Sequence, residues 1–234
     1  MNDRLAATVR ACLTNGNRLL DDAEYVELNE PPTTAYFLAM IAQEEIAKGF
    51  LLALVVRGII PWDKRLLRAA RDHTCKQLLC VVMDYLVPGD DDWFARVDTM
   101  MYRPEEAKLP REVADALNIL RHEKIGCWAD YFSFWAENPD YDPGAMAIFA
   151  GKKDRVKQDA LYVRLSADGS VASTPAGVTL ETVKNERDRA RRLASLTNDM
   201  LNGDPNQGLD YPRIEESIRI LFASMPDDVR GKKK

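Results

Sequence analysis

The chain has 234 residues, of which 46% are hydrophobic and 29% are charged, a composition typical of a globular domain with a packed core and not of a disordered chain. Its 37 acidic residues outnumber its 32 basic residues, so the net charge is −5 and the whole molecule does not attract nucleic acid. Any contact with RNA would therefore use a local basic patch. Three such patches lie at residues 64–76, 152–157 and 184–192.

The chain has four cysteines and two histidines, namely Cys12, Cys75, Cys80, Cys127, His73 and His122. The cysteines lie in apolar stretches and no secretory leader precedes them, so we expect reduced thiols and a cytoplasmic location. A structural zinc site usually contains a CxxC pair, and the sequence has none. We therefore expect no metal and no other cofactor.

The first two helices are predicted from the spacing of apolar residues. Residues 3–26 place apolar side chains at helical intervals and predict an amphipathic helix. Pro31 and Pro32 end that segment, and Thr33 is the candidate N-cap of the next helix. Residues 34–57 are apolar on nearly every face and are about as long as a membrane span.

Polar residues at the centre of this second helix argue against a membrane span. They are Gln43, Glu44, Glu45 and Lys48. Each charge at the middle of a bilayer costs on the order of 2.5–3.5 kcal/mol. The segment is therefore predicted to be a buried core helix, without membrane contact.

The charges of this helix need partners. Glu44 and Lys48 lie four residues apart and can pair on one face, whereas Glu45 points about 100° away. Because an unpaired buried carboxylate is costly, we expect the fold to supply cations or hydrogen-bond donors, and His73 and Lys76 of the third helix are the best candidates. Such a cluster either fixes the register of the helices or forms a polar pocket with shifted pKa values, and periodicity does not distinguish the two.

The remaining elements are five helices, a loop and a β-hairpin. The helices are predicted over residues 63–86, 90–102, 110–132, 180–201 and 212–223. The loop is predicted over residues 138–144 and the hairpin over residues 160–174. In the hairpin, Asp168 and Gly169 supply the turn between short apolar runs. All of these elements are assigned to a single domain, residues 1–225. The last residues, 226–234, are expected to be a disordered basic tail.

Several strings in the chain resemble the AbiV family of abortive-infection proteins over residues 8–195. They are NGNRLLDDAEYV, AYFLAMIAQEEIAKGFLL, RDHTCKQLL and KQDALYVRLSADGSVASTP, in the same order. The most specific elements are EE-x-x-K, H-x-x-K and the LYV strand followed by Gly and Pro. The AbiV family is grouped with the HEPN superfamily, so the resemblance implies a mainly α, HEPN-like helical bundle with a small hairpin, an antiphage function and a homodimer.

The resemblance also implies a chemistry. Many HEPN proteins are metal-independent RNA endonucleases with an Arg, four to six further residues and a His, and the string RAARDH from Arg68 to His73 fits that signature. An imidazole can take the proton of a ribose 2′-hydroxyl, and a guanidinium can hold the phosphate oxygens. The products would be a 2′,3′-cyclic phosphate and a 5′-hydroxyl. On one continuous helix Arg68 and His73 point about 140° apart, so they would converge across a dimer interface.

The residues that match the AbiV pattern are Glu44, Glu45, Lys48, His73, Lys76, Lys157 and Tyr162. Since Lys157 and Tyr162 lie just before and within the predicted hairpin, we expect the hairpin to fold over Glu45 and His73 as a lid. The expected function is that of an antiphage toxin that cleaves RNA and stops translation, under the control of a phage-encoded activator or an antitoxin. The alternative is a non-catalytic helical module that binds a phage or host protein.

Overall fold

The architecture is mainly α-helical in a computed structural model that describes residues 2–28, 31–87, 93, 95, 99, 109–126, 141–175, 177–202 and 216. Its helices are α1 (Asn2–Val26), α2 (Thr33–Val56), α3 (Lys64–Ala69), α4 (His73–Leu86), α5 (Arg111–Asn118), α6 (Pro143–Phe149), α7 (Lys152–Asp159) and α8 (Leu180–Asn202). A π-helix, Ile119–Gly126, continues α5. Two short strands, β1 (Arg164–Leu165) and β2 (Val171–Ser173), form an antiparallel hairpin.

Helix α2 is the centre of the fold. It is buried along most of its length and on most of its faces, and α1, α4 and α8 pack around it. Helix α1 contributes one apolar stripe and keeps its opposite face in solvent, as its periodicity predicts. Within the described residues, no helix has the length and the low charge content that a membrane crossing requires.

Two glycines allow α1 and α2 to approach each other closely. A Cβ atom on Gly16 would lie 2.8 Å from Cγ1 of Ile46, which is closer than real Cβ atoms come to a neighbour. A Cβ atom on Gly49 would lie 3.2 Å from the Cβ atom of Cys12. The spacing between these helices is therefore set by the absence of side chains at these positions.

The predicted helix over residues 63–86 is in fact two helices, so that prediction is wrong at residues 70–72. Each helix begins at an aspartate that caps it. Asp63 accepts hydrogen bonds from the backbone N–H groups of Arg65 and Leu66, both at 2.8 Å, and Asp72 accepts one from Cys75 at 3.0 Å. Because Asp72 offers this cap, the chain restarts as a new helix with His73 as its first residue.

Other helix boundaries differ from the prediction by smaller amounts. Thr33 is not an N-cap: it is the first residue of α2, and Pro32 precedes it without a side-chain cap. The predicted loop over 138–144 ends early, because Asp142 caps a helix that starts at Pro143. Helices α6 and α7 were not predicted, since each is only two turns long and α7 has almost no apolar residues.

Some predictions fall on parts of the chain outside the described residues. Of the predicted helices over 90–102 and 212–223, only Trp93, Ala95, Thr99 and Glu216 are described, and all four are helical. Residues beyond 126 in the predicted helix 110–132, and the whole tail 226–234, lie outside the described set.

The predicted hairpin is confirmed, but its first strand begins at Arg164, so the predicted LYV strand at residues 161–163 is wrong. Arg164 pairs with Ser173 and Leu165 with Val171, and the turn between them is closed by a 2.7 Å bond from the N–H of Ser166 to the carbonyl of Ser170. Gly169 has a φ of 82°, which explains the glycine at that position of the turn.

The close approach at Gly16 can be tested by a Gly16→Val substitution. We expect it to lower the free energy of unfolding by about 1–3 kcal/mol, because the added carbons would overlap Ile46 and push the helices apart. Urea denaturation would measure the change. Asn17→Val, at the next and exposed position of α1, is the matched control, and an equal loss in both variants would contradict the packing explanation.

Candidate functional site

A buried carboxylate is the centre of the candidate site. Glu44 of α2 is only 2% exposed. Its Oε1 accepts hydrogen bonds from Nζ of Lys157 at 2.7 Å and from Nε2 of Gln77 at 3.0 Å. Its Oε2 bonds to Nδ1 of His73 and lies 3.3 Å from Nζ of Lys76. Both oxygens are thus surrounded by donors from two other helices.

The spacing of α4 explains how three of these donors reach one carboxylate. His73, Lys76 and Gln77 are three and four residues apart, so they lie on the same face of the helix, and that face is turned towards α2. The fourth donor, Lys157, comes from α7 and is only 3% exposed. Two of the predicted basic patches, 64–76 and 152–157, therefore meet at Glu44.

The charges around Glu44 decide its ionisation. Burial on its own would raise the pKa of this carboxyl group, but the hydrogen bond from Lys157, the charges of Lys76 and Lys157 and the hydrogen bond to His73 together hold the pKa below its ordinary value. Glu44 is therefore an anion at neutral pH. A buried anion of this kind is stable only while its cationic partners stay in place.

Lys157 joins Glu44 to two further groups. Its Nζ lies 2.6 Å from Oδ1 of Asp154, one turn earlier in α7, and 3.4 Å from Nδ1 of His73. The cluster thus contains two carboxylates, Glu44 and Asp154, matched by two ammonium groups, Lys76 and Lys157. Its formal charges cancel when His73 is neutral.

His73 connects this cluster to solvent. Its side chain is 53% exposed, and only Nδ1 is hydrogen-bonded among the described residues, so Nε2 is left available. The start of α4 is held by Asp72, which caps the helix and also receives Nζ of Lys124 from the π-helix at 3.3 Å. The imidazole is thus fixed at one edge and open at the other.

Glu45 and Lys48 lie outside this cluster. The prediction that Glu44 pairs with Lys48 is wrong: Nζ of Lys48 binds Oε1 of Glu45 at 2.6 Å, and Asn15 of α1 donates to the other oxygen at 3.2 Å. The spacings of three and four residues both allow a pair on a helix. The choice is made by the surroundings, because Glu44 faces α4 and α7 whereas Glu45 faces α1.

Gln43, the remaining one of the four polar residues at the centre of α2, holds α8 against α2. Its Nε2 donates to the backbone carbonyl of Glu186 at 2.9 Å and to the carboxylate of the same residue at 2.7 Å. Arg189 of α8 extends the contact to α4 through Asp84, with Nε 3.4 Å from Oδ2. This side of α2 is a helix-to-helix contact and lies apart from His73.

Arg68 and Tyr162 are placed differently from the residues around Glu44. Arg68 is exposed on α3. The chain breaks between α3 and α4, so the angle of about 140° expected between Arg68 and His73 on one continuous helix does not apply. Tyr162 is 60% exposed and makes no hydrogen bond to Glu44 or His73 in the described part of the chain. The contact expected from a hairpin lid is instead made by Lys157 from helix α7.

Gln77 and Asp154 belong to the cluster but are not among the predicted site residues. Gln77 follows Lys76 directly and is four residues after His73, so the helical spacing that selected His73 and Lys76 also selects Gln77. Asp154 precedes Lys157 by three residues, a pairing distance on a helix. This second signal depends on α7, which was not predicted.

The fold and this cluster together describe a helical protein with a charged centre between its helices. A family model described as AbiV, within the HEPN group, matches residues 4–195. The chain therefore belongs to the AbiV family, which confirms the resemblance found in the sequence. No curated protein matches the chain, and no solved structure does.

The role of Glu44 in stability can be measured with Glu44→Gln. At pH 7 we expect the variant to lose about 3–5 kcal/mol of unfolding free energy, because two buried ammonium groups, Lys76 and Lys157, are left with Asp154 as their one carboxylate. The pKa of Glu44 is below its ordinary value of 4.5 in the folded protein, so its ionisation stabilises the fold above that pH and ceases to do so as the pH falls through the folded value. The difference between wild type and variant should therefore shrink in acid.

Urea denaturation at pH 7 and at a series of pH values below 4.5 is the measurement, since the contribution of Glu44 is lost only as the pH falls from 4.5 through the lower pKa of the folded protein. The matched control is Glu45→Gln, the adjacent residue, whose ion pair is partly exposed and should contribute less than about 1 kcal/mol. Equal losses in the two variants, or a difference for Glu44→Gln that does not change with pH, would show that the buried ion cluster is not what stabilises this helix.

Proposed function

We propose that this AbiV protein is an antiphage abortive-infection effector that acts in the cytoplasm by cleaving RNA and thereby stopping translation. Membership of the AbiV family supports the role in abortive infection. The observation that supports the chemistry is the hydrogen bond between buried Glu44 and Nδ1 of His73, which leaves the opposite edge of an exposed imidazole free.

Glu44 sets the tautomer of His73 in this mechanism. Because Glu44 is ionised, it accepts a hydrogen bond from Nδ1–H, so that the proton stays on Nδ1 and Nε2 carries the lone pair. A carboxylate that holds a histidine in this way orients the ring and stabilises the imidazolium that forms during the reaction. This arrangement is that of a general base.

The reaction would begin when Nε2 of His73 takes the proton of a ribose 2′-hydroxyl. The 2′-oxygen then bonds to the adjacent phosphorus, and the bond from phosphorus to the 5′-oxygen breaks. The products are a 2′,3′-cyclic phosphate and a 5′-hydroxyl, with the proton returned to the leaving oxygen. The step requires no oxidant and no co-reactant.

Basic residues on the surface would bind the phosphate groups. Lys76 and Lys157 are buried against Glu44, whereas Arg68 and Arg71 beside α4 and Lys152 and Arg155 on α7 have exposed side chains. Their guanidinium and ammonium groups suit phosphate contacts. In a homodimer, Arg68 from a second copy would complete the site. The activator or antitoxin would act on this assembly.

A non-catalytic role is the second candidate, and the charge balance of the cluster favours it. Glu44 and Asp154 are fully matched by Lys76 and Lys157, so the cluster needs no substrate to be satisfied. In this case the helices would serve as a binding module for a phage or host protein, and His73 would be one more donor to Glu44.

The two candidates predict different results for His73 variants. We expect the purified protein to cleave total cellular RNA or tRNA in the presence of EDTA, and to lose at least about 100-fold in rate in His73→Ala, since a general base contributes about 10²–10⁴-fold. Arg68→Ala should also lose activity. Gel analysis, with mass spectrometry of the cyclic phosphate ends, is the measurement.

Two further variants separate the chemistry from folding. His73→Asn keeps a donor near the position of Nδ1 but has no basic nitrogen, so it should fold normally and be inactive. Arg10→Ala, an exposed position of α1, should be fully active. The ribonuclease proposal fails if neither RNA is cleaved and cells that carry His73→Ala are still defended against phage.

A further inference from the structure

The ammonium group of Lys157 occupies a position that suits a metal ion. Its Nζ lies 2.7 Å from Oε1 of Glu44, 2.6 Å from Oδ1 of Asp154 and 3.4 Å from Nδ1 of His73. The three residues each offer one metal-ligating atom, and these atoms lie within 4.8 Å of one another. Two carboxylates and an imidazole thus surround one cation, the ammonium group of Lys157.

We propose that this position is a divalent transition-metal site, in which a zinc ion and the ammonium group of Lys157 are alternative occupants. Carboxylate oxygen and imidazole nitrogen are common zinc ligands, and three protein ligands leave a fourth place for water. The set is unsuited to magnesium, which prefers oxygen ligands alone.

The geometry needs only a small adjustment to hold zinc. Ligands at about 2.0–2.2 Å from a tetrahedral ion are separated by about 3.4 Å, so the three atoms would move together by about 1 Å. His73 is the first residue of α4 and Asp154 lies in the first turn of α7, and both are at least partly exposed. Side chains at helix ends of this kind can make such a movement, and the exposed face of His73 gives the ion a path from solvent.

Two neighbours support this exchange. Lys76 stays 3.3 Å from the other oxygen of Glu44, so the buried carboxylate keeps a cation when Lys157 swings out. Gln77, whose Nε2 contacts Glu44, has a buried Oε1 without a hydrogen-bond donor among the described residues. A metal-bound water is a donor of the kind that this oxygen lacks.

The test is zinc binding by the full-length chain, measured by competition with a chromophoric chelator and by thermal unfolding, with zinc ions alone as the probe. We expect wild type to bind one equivalent weakly, and Lys157→Ala to bind one equivalent at least ten-fold more tightly, because the competing ammonium is gone. Zinc should raise the unfolding temperature of Lys157→Ala more than that of wild type. Magnesium should do neither.

Ligand variants decide whether the zinc is in this position. Adding Asp154→Asn or His73→Ala to Lys157→Ala should weaken binding at least ten-fold, whereas adding Asp159→Asn, on the same helix but paired with Arg164, should not. If Lys157→Ala is unfolded without metal, circular dichroism should show that zinc restores its helices. The proposal is overturned if Lys157→Ala binds no stoichiometric zinc, if it stays unfolded with zinc, or if binding survives both ligand variants. Because the readout is metal binding, the result is independent of RNA cleavage.

Discussion

The buried negative charge of Glu44 is the constraint on which the arrangement of the other helices depends. A carboxylate in the middle of an apolar helix can remain ionised only if donors and cations surround it. Helix α4 supplies three of them from one face and α7 supplies the fourth. The register of both helices against α2 is therefore tied to one side chain, and hydrophobic packing around α2 provides the rest of the attraction.

The extent to which the sequence predicts this fold depends on the length of each element. Long periodic segments such as α1, α2 and α8 are recovered within one or two residues, and the hairpin follows from its turn residues Asp168 and Gly169. The break before α4 was missed because the apolar stripe continues across it, while a single capping residue, Asp72, ends the preceding helix and starts the next. Short α7 has no stripe to detect.

The candidate site was predicted in part for similar reasons. The need for a partner to Glu44 follows from burial and charge, and it leads directly to His73 and Lys76. The sequence does not indicate whether Lys48 pairs with Glu44 or with Glu45, because both spacings allow an ion pair on a helix. The neighbouring helices determine that it pairs with Glu45. Gln77 follows from the same helical spacing as His73 and Lys76, whereas Asp154 is recognisable only once α7 and its contact with α2 are known.

The contact between Glu44 and Lys157 also determines when the site can exist. The two residues are 113 positions apart in the chain, and a ribosome adds roughly 5–20 residues per second. On this scale, about 6–23 s separate the synthesis of the carboxylate from that of the lysine that neutralises it. Helices α1 and α2 emerge early, whereas closure of the cluster waits for most of the chain. A nascent copy therefore lacks the assembled centre until Lys157 has been synthesised.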